Sequence, residues 1–129
     1  QCGVSFDRLD MEMTKEVINK WDQVFARNVK KATGQWVHNR FRWHGFSYEF
    51  ESSIWGLEAL DKYLTQWPAA FVVFDEDLRC CYWCEAQKYP DLTTLGSDIY
   101  VAHHNMKWTM VFTHEQPDIG PFFAEKTTY

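Results

Sequence analysis

No run of apolar residues in this 129-residue chain approaches the roughly 18 that a spanning helix needs, so no helical membrane span is expected. Positive charge is also scarce. Thirteen Lys and Arg stand against eighteen Asp and Glu, a formal net charge of -5. Phosphate contacts need a basic surface, so nucleic acid is not an expected ligand, and neither is an anionic membrane. Such a balance suits a soluble protein, or one that docks on a basic partner. The opening residues, QCGVSFDRLD, have no basic stretch followed by an apolar one, and no secretory signal is expected there. Cysteines are few and crowded: Cys2, Cys80, Cys81 and Cys84. Pairs within Cys80–Cys84 would close loops too short to staple a fold, and a secreted disulfide framework would spread them. Reduced thiols and a cytoplasmic location are therefore expected. The chain has no G-x-S-x-G elbow, Gly-rich phosphate loop or paired-acid motif. It also has no repeat, low-complexity segment or linker.

What the chain does have is aromatic mass. Seven Trp, six Tyr and ten Phe make up 18% of the residues. Most must be core, because large rings dominate burial energetics, while a surplus suits an interface. A chain of this length fits one domain that buries roughly two thirds of its unfolded surface, enough for one core.

The spacing of Val17, Ile18, Trp21, Val24, Phe25 and Val29 predicts an amphipathic helix over 11–32, capped by Asp10 and stopped at Gly34. Residues 1–9 read as a tail. From Trp36 to Phe50 the apolar positions alternate and slip phase at Gly45, which predicts a bent strand or small hairpin. Ile54, Leu57, Leu60, Leu64 and Trp67 form the apolar stripe of a second helix, capped at Ser52 or Ser53 and ended by Pro68. Strands are expected at 69–74 and 78–85, joined by the acidic turn Asp75-Glu76-Asp77, then at 99–103 and 107–113 around Asn105. Trp108, Met110 and Phe112 share one face of the last strand, and Thr109, Val111 and Thr113 the other. The end, 125–129, reads as frayed. The predicted fold is a single α+β domain: one mostly antiparallel sheet of four to six strands, with two main helices on one face.

Two constellations draw attention. Cys80, Cys81 and Cys84 with His103, His104 and His114 include a C-x-x-C, a zinc-ligand spacing. Cys81 and Cys84, with His103 and His104, are the metal candidates. Against them, the C-x-x-C falls inside a strand, where residues three apart face opposite ways, and no second C-x-x-C or H-x-x-x-H is present. The competing reading packs Cys80, Tyr82 and Cys84 on one face and Cys81 and Trp83 on the other, as buried core. No cofactor is expected. The second constellation lies in KWTMVFTHEQPDIGPFF, residues 107–123, where His114 and Glu115 precede a Pro- and Gly-bounded turn. His114-Glu115 is not an H-E-x-x-H site, since residue 118 is Asp and Pro117 interrupts any helix. A His beside a carboxylate suits a general base, or simply a hydrogen-bonded turn. The binding candidates are His114 and Glu115, with Trp108, Tyr48, Asp75, Glu76 and Asp77 as neighbours.

Trp43 to Tyr48, Phe71 to Asp77, Asp98 to Val101, Trp108 to Glu115 and Gly120 to Phe123 together resemble a family of small bacterial proteins of unknown function. Its signature is W-T-x-V-x-T-H-E followed by G-P-x-F. The resemblance covers roughly 36–124 and leaves the first helix outside. It implies a small cytoplasmic bacterial domain and transfers no catalytic residue.

Three function classes follow. Small size, acidity and surplus aromatics fit a binding protein, in particular an immunity-type inhibitor of a basic toxin or nuclease, which electrostatic steering would favour. The Cys and His residues would instead fit a metal- or thiol-dependent enzyme, and surplus aromatics alone would fit a homo-oligomer. The first is favoured because it needs no missing motif.

Overall fold

The computed structural model describes residues 5–35, 46, 53–67, 69–75, 81–85, 89, 98–113 and 121–125. Seven strands form one antiparallel sheet: β1 (Ser5–Arg8), β2 (Ile54–Trp55), β3 (Phe71–Asp75), β4 (Cys81–Glu85), β5 (Ile99–His103), β6 (Trp108–Phe112) and β7 (Phe122–Glu125), in the order β1-β4-β3-β5-β6-β7-β2. Among the described residues three helices accompany it: α1 (Met11–Phe25), α2 (Arg27–Thr33) and α3 (Leu57–Leu64). The bent strand or hairpin expected over 36–50 lies outside the described residues, except for Phe46, which is helical. The α+β single-sheet architecture is the expected one, with a wider sheet. None of these helices is long and apolar enough to cross a membrane.

The caps read from the sequence hold the first helical segment. The Asp10 carboxylate accepts the Met13 N–H at 2.8 Å, satisfying one of the free donors of the first turn. At the other end Gly34 takes φ +78°, and its N–H reaches Lys30 O at 2.8 Å. The single helix expected over 11–32 is interrupted at Ala26, which leaves helical geometry between α1 and α2.

The sheet is wider than four to six strands because both of its edges recruit short segments. Residues 5–8, expected as tail, pair with β4, and Leu9 N–H continues the contact to Cys81 O at 2.8 Å. Ile54 and Trp55, expected in the second helix, pair instead with Phe123 and Phe122 of β7, so that helix is not capped at Ser52 or Ser53: it starts at Leu57 with Gly56 as its N-cap and no side-chain cap bond. Gly56 turns the chain out of β2 with φ +76°, a conformation that favours glycine.

The helices do not share one face. Ile18, Trp21, Phe25 and Val29 of α1 and α2 pack with Val72, Phe74, Cys81, Tyr100, Val111 and Phe122. Ala59 and Tyr63 of α3 pack with Phe71, Cys84, Val101, Trp108, Met110, Phe112 and Phe123, the alternate residues of the same strands. The reason lies in the central strands: β6 is buried at every position and β5 at four of five, so both faces are apolar and both require cover.

Each layer has an aromatic node. Trp21 meets Phe25, Phe46, Phe74 and Tyr100 with ring centroids 5.2–6.2 Å apart. Its indole N–H donates to Thr109 Oγ1 at 2.8 Å, and that hydroxyl donates to Val101 O at 2.9 Å, tying α1 to the sheet centre. On the opposite face Tyr63 meets Tyr89, Trp108 and Phe112 at 5.5–5.8 Å.

Candidate functional site

Strand alternation decides the fate of the cysteines. Cys81 registers with Phe74 and Cys84 with Phe71, neighbours of opposite orientation on β3. Cys81 therefore joins the core beneath α1, while Cys84 joins the core beneath α3. The two thiols are free, buried and separated by the sheet, so they cannot ligate one ion together. Burial, and secondarily the nearby Cys84, pushes the Cys81 thiol up to about 12. Burial pushes Cys84 up to about 11. Neither supplies thiolate near neutral pH, the form that attacks or binds metal.

His103 and Cys84 share a face, and both register with Phe71 from strands on either side of it. Two strand spacings place them about 10 Å apart, with Phe71 between. His103 is buried, stacks on His104 at 4.3 Å and accepts the Asn105 N–H on Nδ1 at 3.0 Å. Burial first, then the charges of His104 and Lys107, lower its pKa to about 4. It is a neutral turn-locking residue. Among the described residues, no three His, Cys, Asp or Glu side chains are grouped to hold a metal ion.

Of the binding candidates, Trp108 and Asp75 are among the described residues. Trp108 is 3% exposed and enclosed by Tyr63, Tyr89 and Phe123, so it belongs to the core and not to a contact surface. Asp75 is half-buried at the end of β3 opposite Ile99, which faces Phe112. Trp108 lies four residues from Phe112, about 13 Å along the strand, so Asp75 and Trp108 are not neighbours. His114, Glu115, Tyr48, Glu76, Asp77 and Cys80 lie outside the described residues.

The surface that sequence reasoning missed surrounds α3. Its apolar stripe was expected to be its buried face. In part it is: Ile54 and Leu60 are half-buried against the core, but Ala59 and Tyr63 are the buried residues of the helix, and Leu57 and Leu64 are 85% and 43% exposed. Trp55 before the helix and Trp67 after it are 62% and 88% exposed. Leu57, Asp61 and Leu64, spaced i, i+4 and i+7, form one outward stripe, with Glu58 and Lys62 beside it. Beside this arc, along β7, lies an open groove of about 570 Å³ whose exposed lining is Glu58, Asp61, Lys62 and Glu125, with half-buried Ile54; Phe123 and Ala124, which also border it, are core residues. Lys62 approaches Glu125 at 4.0 Å from the groove wall. The one sequence signal for this surface was the pair of tryptophans flanking a short helix with Gly56 at its start.

No curated protein and no solved structure matches the chain. A family model does, from the N-cap of α1 to β7, and so takes in the first helix that the resemblance left out. That model, described as a domain of unknown function (DUF4275), matches residues 10–123, and the chain belongs to this family.

Proposed function

We propose that this domain is a protein-binding module, in particular an immunity-type inhibitor that docks on a basic toxin or nuclease domain. The observation behind this reading is the outward stripe of α3 with its two flanking tryptophans. Clustered large apolar side chains rimmed by polar groups mark interaction sites, and tryptophan is the residue most enriched among binding hot spots. Carboxylates at Glu58, Asp61 and Glu125 adjoin the stripe, and the chain carries a net charge of -5. That polarity suits a cationic partner, whose approach it would accelerate at low salt.

The test is affinity capture from the native host with the tagged chain, alongside Leu57→Ser and Trp67→Ser. The expected result is one stoichiometric basic partner, captured by the wild type, lost with either variant, and inhibited in its nuclease activity by added wild-type protein. Recovery of the chain alone, or a partner retained by both variants, refutes the reading. The same exposed stripe also favours a second reading, a homo-oligomer that buries it against another copy. Light scattering at high concentration separates the two, since a monomer removes the self-interface.

A further inference from the structure

The turn between β5 and β6 is closed by one residue. His103, at the end of β5, takes two turn donors. Its backbone carbonyl accepts the Met106 N–H at 2.8 Å, and its ring Nδ1 accepts the Asn105 N–H at 3.0 Å. Accepting on Nδ1 requires the neutral imidazole, with its proton on Nε2. The ring is buried, stacked on His104 at 4.3 Å and edge-on to Trp108 at 6.1 Å. The turn it closes is strained: Met106 holds φ 59° while its side chain is buried in the core beneath α1.

Positive charge surrounds the ring at close range, from His104 beside it and Lys107 across the turn. The described carboxylates are distant. Glu125 shares the face but lies two strand spacings away across Trp108, about 10 Å, and is exposed beside Lys62. Glu85 follows Cys84 on β4 and projects from the other face, and Asp75 is about 13 Å off at the far end of β3. Cys84 across Phe71, and Tyr63 and Tyr89 against Trp108, are a thiol and two phenols, not counter-ions. An imidazolium at 103 therefore meets like charge and no described counter-ion.

We propose that the β5–β6 turn is an acid-operated latch: protonation of His103 turns Nδ1 from acceptor into donor against the Asn105 N–H and opens residues 103–107 while the central ladder stays paired. The proton comes from solvent, and two N–H groups left 3.0 Å apart repel. Opening lets Met106 leave its left-handed conformation, draws its side chain from the core beneath α1, and uncovers the edge of Trp108. The device does not depend on a partner for α3.

The test is amide hydrogen exchange of the intact chain, read by NMR from pH 7.5 to 3.5 with and without low urea. The Asn105 and Met106 amides should exchange through an opening that urea does not accelerate, and should be less protected than Val101 and Met110 of the central strands. Their protection factors should fall about tenfold per pH unit between 6.5 and about 4, some 300-fold in all, and level off below. In His103→Gln, whose spectrum reports that it is folded, that slope should vanish. In His104→Gln and Lys107→Gln, each lacking one facing positive charge, the fall should end at a higher pH. A purely structural role for His103 would not move that end point. The proposal is overturned if the turn amides match Val101 and Met110 in protection and urea dependence, because the acid effect is then global. It is equally overturned by a wild-type slope in His103→Gln, or by an unmoved end point in both charge variants.

Discussion

Replacing Thr109 with valine exchanges one hydroxyl for a methyl at constant volume in the middle of the sheet. Thr109 and Trp21 are both fully buried, and the threonine hydroxyl is at once the acceptor for the Trp21 indole N–H and a donor to Val101 O. Thr109→Val leaves the indole N–H without a partner, which costs about 1–3 kcal/mol, and removes a further bond to the Val101 carbonyl, for a total near 2–3 kcal/mol. Thr109→Ser keeps the hydroxyl and deletes only a methyl, worth about 1 kcal/mol. Valine, the better-packed residue, should therefore be the more damaging. Urea unfolding followed by tryptophan fluorescence measures both, with the slope m unchanged if only stability has moved. In the Trp21→Phe background, where no indole N–H remains to be orphaned, the cost of Thr109→Val should fall by about 1 kcal/mol. A valine variant within about 0.5 kcal/mol of wild type, or more stable than the serine variant, would refute the assignment of this relay as the tie between α1 and the sheet.

His103 should give an acid limb to the stability curve. Its pKa is lowered from 6.5 to about 4, so the unfolded chain binds the extra proton first, and stability falls as pH drops through that window and is flat below it. In His103→Gln, urea midpoints measured at pH 7, 5.5 and 4 should decline less steeply than in wild type. Cys81 and Cys84, raised to about 12 and about 11, should resist iodoacetamide at pH 8 in the native protein and react once urea unfolds it, as tandem mass spectrometry of the 81–85 region would show. Met106 turns the β5–β6 hairpin with φ 59°, and its N–H donates to His103 O at 2.8 Å. Glycine there relieves about 1 kcal/mol of left-handed strain while losing the buried side chain, so Met106→Gly should destabilise by about 2 kcal/mol, against about 3 kcal/mol for the fully buried Met110→Ala. Equal losses by thermal denaturation would argue that the turn is unstrained.

Local chemistry was readable wherever a residue's own neighbours decide its state. Asp10 caps α1 because its carboxylate reaches a donor three residues on, and Gly34 ends α2 because it alone accepts the left-handed angle cheaply. Alternation along β4 and β6 placed Cys81 opposite Cys84 and Thr109 opposite Trp108. The edge strands were not readable, since four residues of β1 and two of β2 gain strand geometry only from ladder bonds to β4 and β7, far away in sequence. The helix stripe of α3 misled for a related reason: periodicity reveals that a helix has an apolar face, and says nothing of which face meets the sheet.

That last point divides what the chain determines alone from what the fold decides. Composition, net charge, the caps of α1 and α2 and strand alternation follow from residue identity and short-range sterics, and they gave an α+β domain of net charge -5. The central strands already carried the sign that helices would be needed on both faces, because apolar residues occupy both sides of β5 and β6. Which helix covers which side, the strand order, and the burial of Trp108 beside the exposure of Trp55 and Trp67 were decided by tertiary packing. A tryptophan gains from any apolar contact on offer, and only the assembled layers determine whether that contact is with its own core or is left for a partner.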